Sequence, residues 1–170
     1  MKLHIHVAET QEENKIILER YVKRPLAFLK CLGYLEQPAI FAHGVELNPS
    51  EIADLVASPV SIAHNPISNL KLASGVAPVT NLLVAGVTVG LATDSVASNN
   101  NLDMFEEGRT AALLQKMREG DASQFTIEQA LKALTIEGAK ALGLEDKIGS
   151  LEVGKQADFI VIQPKGRLHL

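Results

Sequence analysis

The sequence predicts an α/β fold built on parallel strands. Short apolar runs alternate with segments of helical period along most of the chain. Residues 87–92 are apolar apart from Thr88 and Gly90, as suits a strand buried on both faces. Alternation of strand and helix requires crossover connections, and these make neighbouring strands parallel.

The elements follow in order. Residues 3–8 read as a strand, and Thr10-Gln11-Glu12-Glu13 after it has the form of a capping box, a hydroxyl followed three residues on by a carboxylate. A helix should run from there to about Tyr21, and Pro25 should open a second that Gly33 stops. Residues 39–42 are the next strand. Asn48-Pro49-Ser50-Glu51 caps another helix, with Asn as the cap and Pro in the first turn. Residues 60–63 form a third strand, 79–85 a helix ended by Gly86, 87–92 a fourth strand, and 102–118 a long helix. Four such units are half of an eightfold barrel, and a small doubly wound sheet fits the alternation equally well. After Gly120, Thr126 starts a helical stretch to Ala141 with a break near Thr135; residues 149–158 are turn-rich, and 159–162 read as a last strand.

The bulk composition narrows the function classes. With 170 residues the chain is long enough for one domain with a real core, and 46% hydrophobic against 21% charged residues is an ordinary globular balance. A net charge of −4 argues against a nucleic-acid surface, which is usually basic. The apolar runs are too short to span a membrane, and no signal peptide is expected from the polar, acidic stretch near the start. Cys31 is the one cysteine, so no disulfide forms within the chain and a cytoplasmic setting is expected.

In parallel α/β folds the functional residues collect at the C-terminal ends of the strands. The first strand ends in His4-Ile5-His6-Val7-Ala8-Glu9, the second in Ala42-His43-Gly44, the third in Ala63-His64-Asn65-Pro66 and the fourth in Ala92-Thr93-Asp94. A single histidine at a strand end is most often structural. Four consecutive ends bearing histidine or carboxylate point to function, because His, Asp and Glu are depleted from buried positions unless paired or ligating. His169 lies outside the pattern. Imidazole and carboxylate are ligands for zinc and similar ions, and a metal with an open position lowers the pKa of bound water. A neighbouring carboxylate can take the water proton, and another can carry a proton to a leaving group.

These stretches resemble the amidohydrolase superfamily, in its branch of 5-methylthioadenosine/S-adenosylhomocysteine deaminases and chlorohydrolase-like enzymes. His6-Val7-Ala8-Glu9-Thr10 resembles the fifth barrel strand of that branch and Ala42-His43-Gly44 the sixth. Residues 61–75, with Ala63-His64-Asn65-Pro66-Ile67-Ser68-Asn69, resemble the seventh strand and its loop, 91–103 the eighth, and 148–162 the return into a small β-domain. The resemblance implies the C-terminal half of a (β/α)8 TIM-type barrel, strands five to eight, over residues 1–145, and the start of a C-terminal β-domain over 146–170. It implies His6 as a metal ligand, Glu9 as a substrate contact and proton shuttle, His43 as the group that orients the attacking hydroxide, and Asp94 as ligand, substrate contact and acceptor of the water proton. The implied reaction is hydrolytic deamination of an adenine-type nucleoside with a divalent metal, zinc or alternatively iron. Guanine deamination and triazine dechlorination or deamination are the alternatives within the branch. His64, Ser68 and Asn69 receive no catalytic role, since the Asn-Pro-x-Ser-Asn loop is equally explained as a conformational turn.

Family members also use a His-x-His pair from the first barrel strand. His4-Ile5-His6 has that spacing, but Glu9-Thr10 matches the fifth strand, so His4 is expected to be a barrel-interior residue. The chain thus reads as truncated at both ends, with two of the expected ligands. Two ligands hold zinc weakly, and an open half-barrel exposes strand edges. These 170 residues alone are expected to be inactive and poorly soluble. A homo-oligomer, or a non-catalytic half-barrel that pairs with another chain, is the alternative from a different class.

Overall fold

The computed structural model describes residues 2–162. Its sheet has four parallel strands in sequence order: β1 (Leu3–Val7), β2 (Ala39–His43), β3 (Val60–His64) and β4 (Val89–Leu91). Between β1 and β2 run α1 (Gln11–Tyr21), α2 (Pro25–Cys31) and a 3-10 turn, Tyr34–Glu36. α3 (Pro49–Val56) joins β2 to β3, and α4 (Pro66–Lys71) with α5 (Val79–Ala85) joins β3 to β4. α6 (Val96–Asn99), α7 (Met104–Glu119), α8 (Ile127–Leu134) and α9 (Ile136–Leu142) follow.

The local chemistry explains most boundaries. Asn48 makes the expected capping box with Glu51, and Thr126 makes one with Gln129. Thr10 caps α1 as expected, accepting from the Glu13 N–H at 3.1 Å. The Glu13 carboxylate, however, reaches past the cap to the N–H groups of Ala8 and Glu9, at 2.9 and 2.7 Å, and so braces the exit of β1. The break at Thr135 divides α8 from α9.

Register sets which residues share a face. His6, Ala42, Ala63 and Gly90 are mutual partners across the four strands and point the same way. On the opposite face Phe41, Ile62 and Val89 are fully buried in a core with Leu26, Leu55 and Leu82 of the helices. α9 packs on β3 and β4, where Gly90 makes room: a Cβ there would lie 3.1 Å from the Gly138 Cα.

Three sequence expectations are corrected. β4 is shorter than 87–92, and α4 and α6 are helical turns that periodicity does not reveal. Residues 159–162 are not a strand. They are exposed and, among the described residues, find no strand to pair with, and an isolated strand has no partner for its backbone groups. His169 lies outside the described residues. Among the described residues no helix is long and apolar enough to cross a membrane.

Candidate active site

The C-terminal ends of the strands bring the expected side chains together. His6, on the open face of β1, places its ring edge-on to that of His43 at 4.9 Å between centroids, with an interplanar angle of 86°. A nitrogen of each ring and a carboxylate oxygen of Asp94 all lie within 4.8 Å of one another. Glu9 is beside them, its Oε2 3.7 Å from His43 Nε2. All four residues expected to carry the chemistry are therefore neighbours, and His43 joins His6 and Asp94 within reach of one ion.

Backbone geometry builds this convergence. Side chains alternate along a strand, so His43 should share the face of Phe41, opposite His6. It does not, because its φ is +76° and the chain turns out of β2 at that residue. Ala8 and Asp94, at the ends of β1 and β4, have φ of +51° and +61°. Left-handed φ is uncommon for residues other than glycine, and such strain collects at functional sites.

Hydrogen bonds then fix each group. Asp94 Oδ2 accepts from the hydroxyls of Ser68 at 2.6 Å and Ser98 at 2.7 Å. Burial alone would raise the Asp94 pKa, but these hydroxyls and the Ser95 backbone N–H hold it below the usual carboxylate value. An ionised carboxylate is what a metal ligand or proton acceptor must be. His43 Nδ1 lies 2.8 Å from Asn69 Oδ1, while its Nε2 is buried without a hydrogen-bond partner. The Ser74 hydroxyl is 3.3 Å from Glu9 Oε1.

A further layer holds the loops. Glu107 of α7 is fully buried and accepts from the Asn99 side chain and, at 3.3 Å, from the Ile67 N–H at the start of α4. Asn99 also donates to the Thr93 carbonyl at 2.7 Å. Burial pushes the Glu107 carboxyl up, partly offset by these donors. His64, at the end of β3, is not among the groups that could share one ion. It is fully buried, neither ring nitrogen has a partner, and burial followed by the nearby His43 lowers its pKa to about 3, so it stays neutral.

Sequence reasoning missed Ser68, Asn69, Ser98 and Glu107. The first two stand in the Asn-Pro-x-Ser-Asn loop, which the sequence explains equally well as a conformational turn, and they are adjacent residues on α4 that grip two different site groups.

A profile of the amidohydrolase family matches residues 1–168. The chain belongs to the amidohydrolase family. It is 52% identical over 168 residues to a 5-methylthioadenosine/S-adenosylhomocysteine deaminase of Bacillus cereus, covering 99% of this chain and 38% of that protein. An adenosine deaminase from Xanthomonas campestris, solved with bound zinc, superposes with a TM-score of 0.91 at 46% identity, over 93% of this chain and 36% of that one. Atrazine chlorohydrolase from Arthrobacter aurescens, complexed with zinc, superposes with a TM-score of 0.86 at 30% identity, over 92% of this chain and 35% of that one. This amidohydrolase chain thus spans 38% of the length of its curated relative.

The residues present fit a divalent metal. Two imidazoles and a carboxylate are a donor set suited to zinc, and the Nε2 of His43 is buried with no hydrogen-bond partner inside the protein.

Proposed function

We propose that this chain is the part of a zinc-dependent deaminase that handles protons, built as strands five to eight of a (β/α)8 barrel over residues 1–145, with 146–170 leading into a β-domain. The observation that carries the reading is the meeting of His6, His43 and Asp94 within 4.8 Å at the ends of three parallel strands, with Glu9 beside them. Zinc, for which iron is the alternative, would be held by His6 and Asp94 and would supply a nucleophile at neutral pH by acidifying water. Asp94, held ionised by Ser68 and Ser98, accepts the proton of the attacking water. His43 presents Nε2 to that water and orients it. Glu9 faces the heterocycle, gives its proton to a ring nitrogen as the oxygen adds, takes the proton of the added hydroxyl as the carbonyl forms and passes it to the departing ammonia, after which the proton held by Asp94 returns to Glu9 through solvent.

The substrate class is an adenine-type nucleoside such as 5'-methylthioadenosine or S-adenosylhomocysteine. The 52% identity to the Bacillus cereus deaminase supports that class over guanine or a triazine. The 170 residues assayed alone are expected to release no ammonia, because their one His-x-His spacing, His4-Ile5-His6, is read as part of the fifth strand and not as the first-strand pair of family members.

A chimera tests this: the segment of the Bacillus cereus deaminase that precedes the matched region, joined ahead of residue 1. The expected result is zinc-dependent ammonia release from 5'-methylthioadenosine, lost in Glu9→Gln. A folded, zinc-loaded chimera that deaminates neither nucleoside overturns the substrate class.

A further inference from the structure

We infer that Asn69 is a positioning residue that sets the tautomer of His43, with the proton on Nδ1 and the Nε2 lone pair turned toward the site. The structure sets Asn69 Oδ1, which can only accept, 2.8 Å from Nδ1, an arrangement in which Nδ1 donates. Asn65 Nδ2, a donor that would favour the opposite tautomer, stands 3.5 Å from the same nitrogen and makes the longer and weaker contact. On the other side of the ring, Nε2 is 3.7 Å from Glu9 Oε2 and has no hydrogen-bond partner. A protonated Nε2 would draw that carboxylate to hydrogen-bonding distance. The gap between the two atoms fits a bare nitrogen facing a carboxylate.

The placement of Asn69 makes this more than a local contact. Asn69 and its neighbour Ser68 sit on α4, a helix of six residues, and are both fully buried. Ser68 donates to Asp94 while Asn69 accepts from His43, so one short helix ties the end of β2 to the end of β4. Glu107 accepts the Ile67 N–H and anchors the start of that helix. The Asn65-Pro66-Ile67-Ser68-Asn69 motif is therefore a clamp: Pro66 starts the helix, and the two residues after Ile67 orient the site groups. A hydrogen bond to one imidazole nitrogen decides what the other offers. With Nδ1 protonated, Nε2 accepts a proton or a metal; with Nε2 protonated it does neither.

The consequence for catalysis rests on the proposed deaminase reading, but the tautomer does not, so the test is made without metal or substrate. Two-bond nitrogen–proton correlation spectra of the 15N-labelled chain at mildly alkaline pH assign the protonated nitrogen of His43. The parent chain is expected to carry the proton on Nδ1. Asn69→Asp keeps an acceptor and keeps that tautomer. Asn69→Leu removes it and moves the tautomer ratio toward Nε2 by roughly tenfold, the worth of one hydrogen bond. A parent chain protonated on Nε2, or an Asn69→Leu chain with an unchanged ratio, overturns the inference. Should Asn69→Leu not fold, the parent and Asn69→Asp spectra decide, since Nε2 protonation in either overturns it. Failure of the chimera to release ammonia would leave these spectra unaffected and would count against the substrate class alone.

Discussion

The first two strand–helix units are written in the same language and end in different surroundings. Each has a short strand, a polar cap and a helix: β1, Thr10 and α1 in one, β2, Asn48 and α3 in the other. Every residue of β2 is buried, whereas of β1 only Val7 is. α3 buries Glu51, Ile52 and Leu55, while α1 buries none of its residues. The difference lies in neighbours, not in propensity. β2 has a strand on each side, and β1 has one on one side only. Yet β1 carries His6 and Glu9. The strand with the least packing thus carries two of the four residues proposed for the chemistry, and its exit is held by local devices: the Glu13 carboxylate on the Ala8 and Glu9 N–H groups, and Thr10 on Glu13.

The sharpest way to break this contrast is by truncation in the two strands. Phe41→Ala on β2 removes a fully buried ring and is expected to cost about 3–5 kcal/mol in denaturant unfolding. Leu3→Ala on β1, at a partly exposed edge, should stay within about 0.5 kcal/mol. Equal losses would mean that β1 is as well packed as β2.

Acid sharpens the same contrast at the buried end of the sheet. His64 ends β3, and its pKa is lowered from 6.5 to about 3. For a base with a depressed pKa the unfolded chain takes a proton that the folded chain refuses. Its contribution is therefore present above pH 6.5 and is lost as pH falls toward 3. Thermal or urea unfolding of His64→Leu should gain on the parent by about 1.4 kcal/mol for each pH unit within that window. A constant difference would mean that His64 reaches solvent or a partner.

The caps separate the two units by where the loss falls more than by its size. Asn48→Ala and Thr10→Ala should each cost about 1 kcal/mol of helix stability. Amide exchange should separate them. Loss of Thr10 frees α1 locally, because little else holds that helix, whereas loss of Asn48 is shared with the core that α3 packs on.

How much of this was legible in the sequence follows from the same physics. The strands and their polar ends were legible, because a buried parallel strand is a run of apolar residues and a histidine or aspartate that interrupts it stands out. The face of His43 was not, since alternation puts it opposite His6 and nothing in its identity signals a φ of +76°. Glu107 reads as an ordinary helical carboxylate until Asn99 and Ile67 are seen to donate to it. α4 is too short for periodicity to reveal, so Ser68 and Asn69 looked like turn residues. The strand expected at 159–162 failed for the opposite reason: its composition was right, but pairing is a property of neighbours and not of the segment.

The central claim is that His6 from the sparsely packed strand and Asp94 from the far end of the sheet hold one metal beside His43. Zinc titration of the chain against a chelator, repeated for His6→Ala and Asp94→Ala, tests it directly. The account predicts one weak site in the parent. Loss of a group that merely supports a ligand typically costs 10- to 100-fold, so removing a ligand itself should weaken binding by about 100-fold or more in each variant. No binding by the parent, or equal affinity in all three proteins, would contradict it.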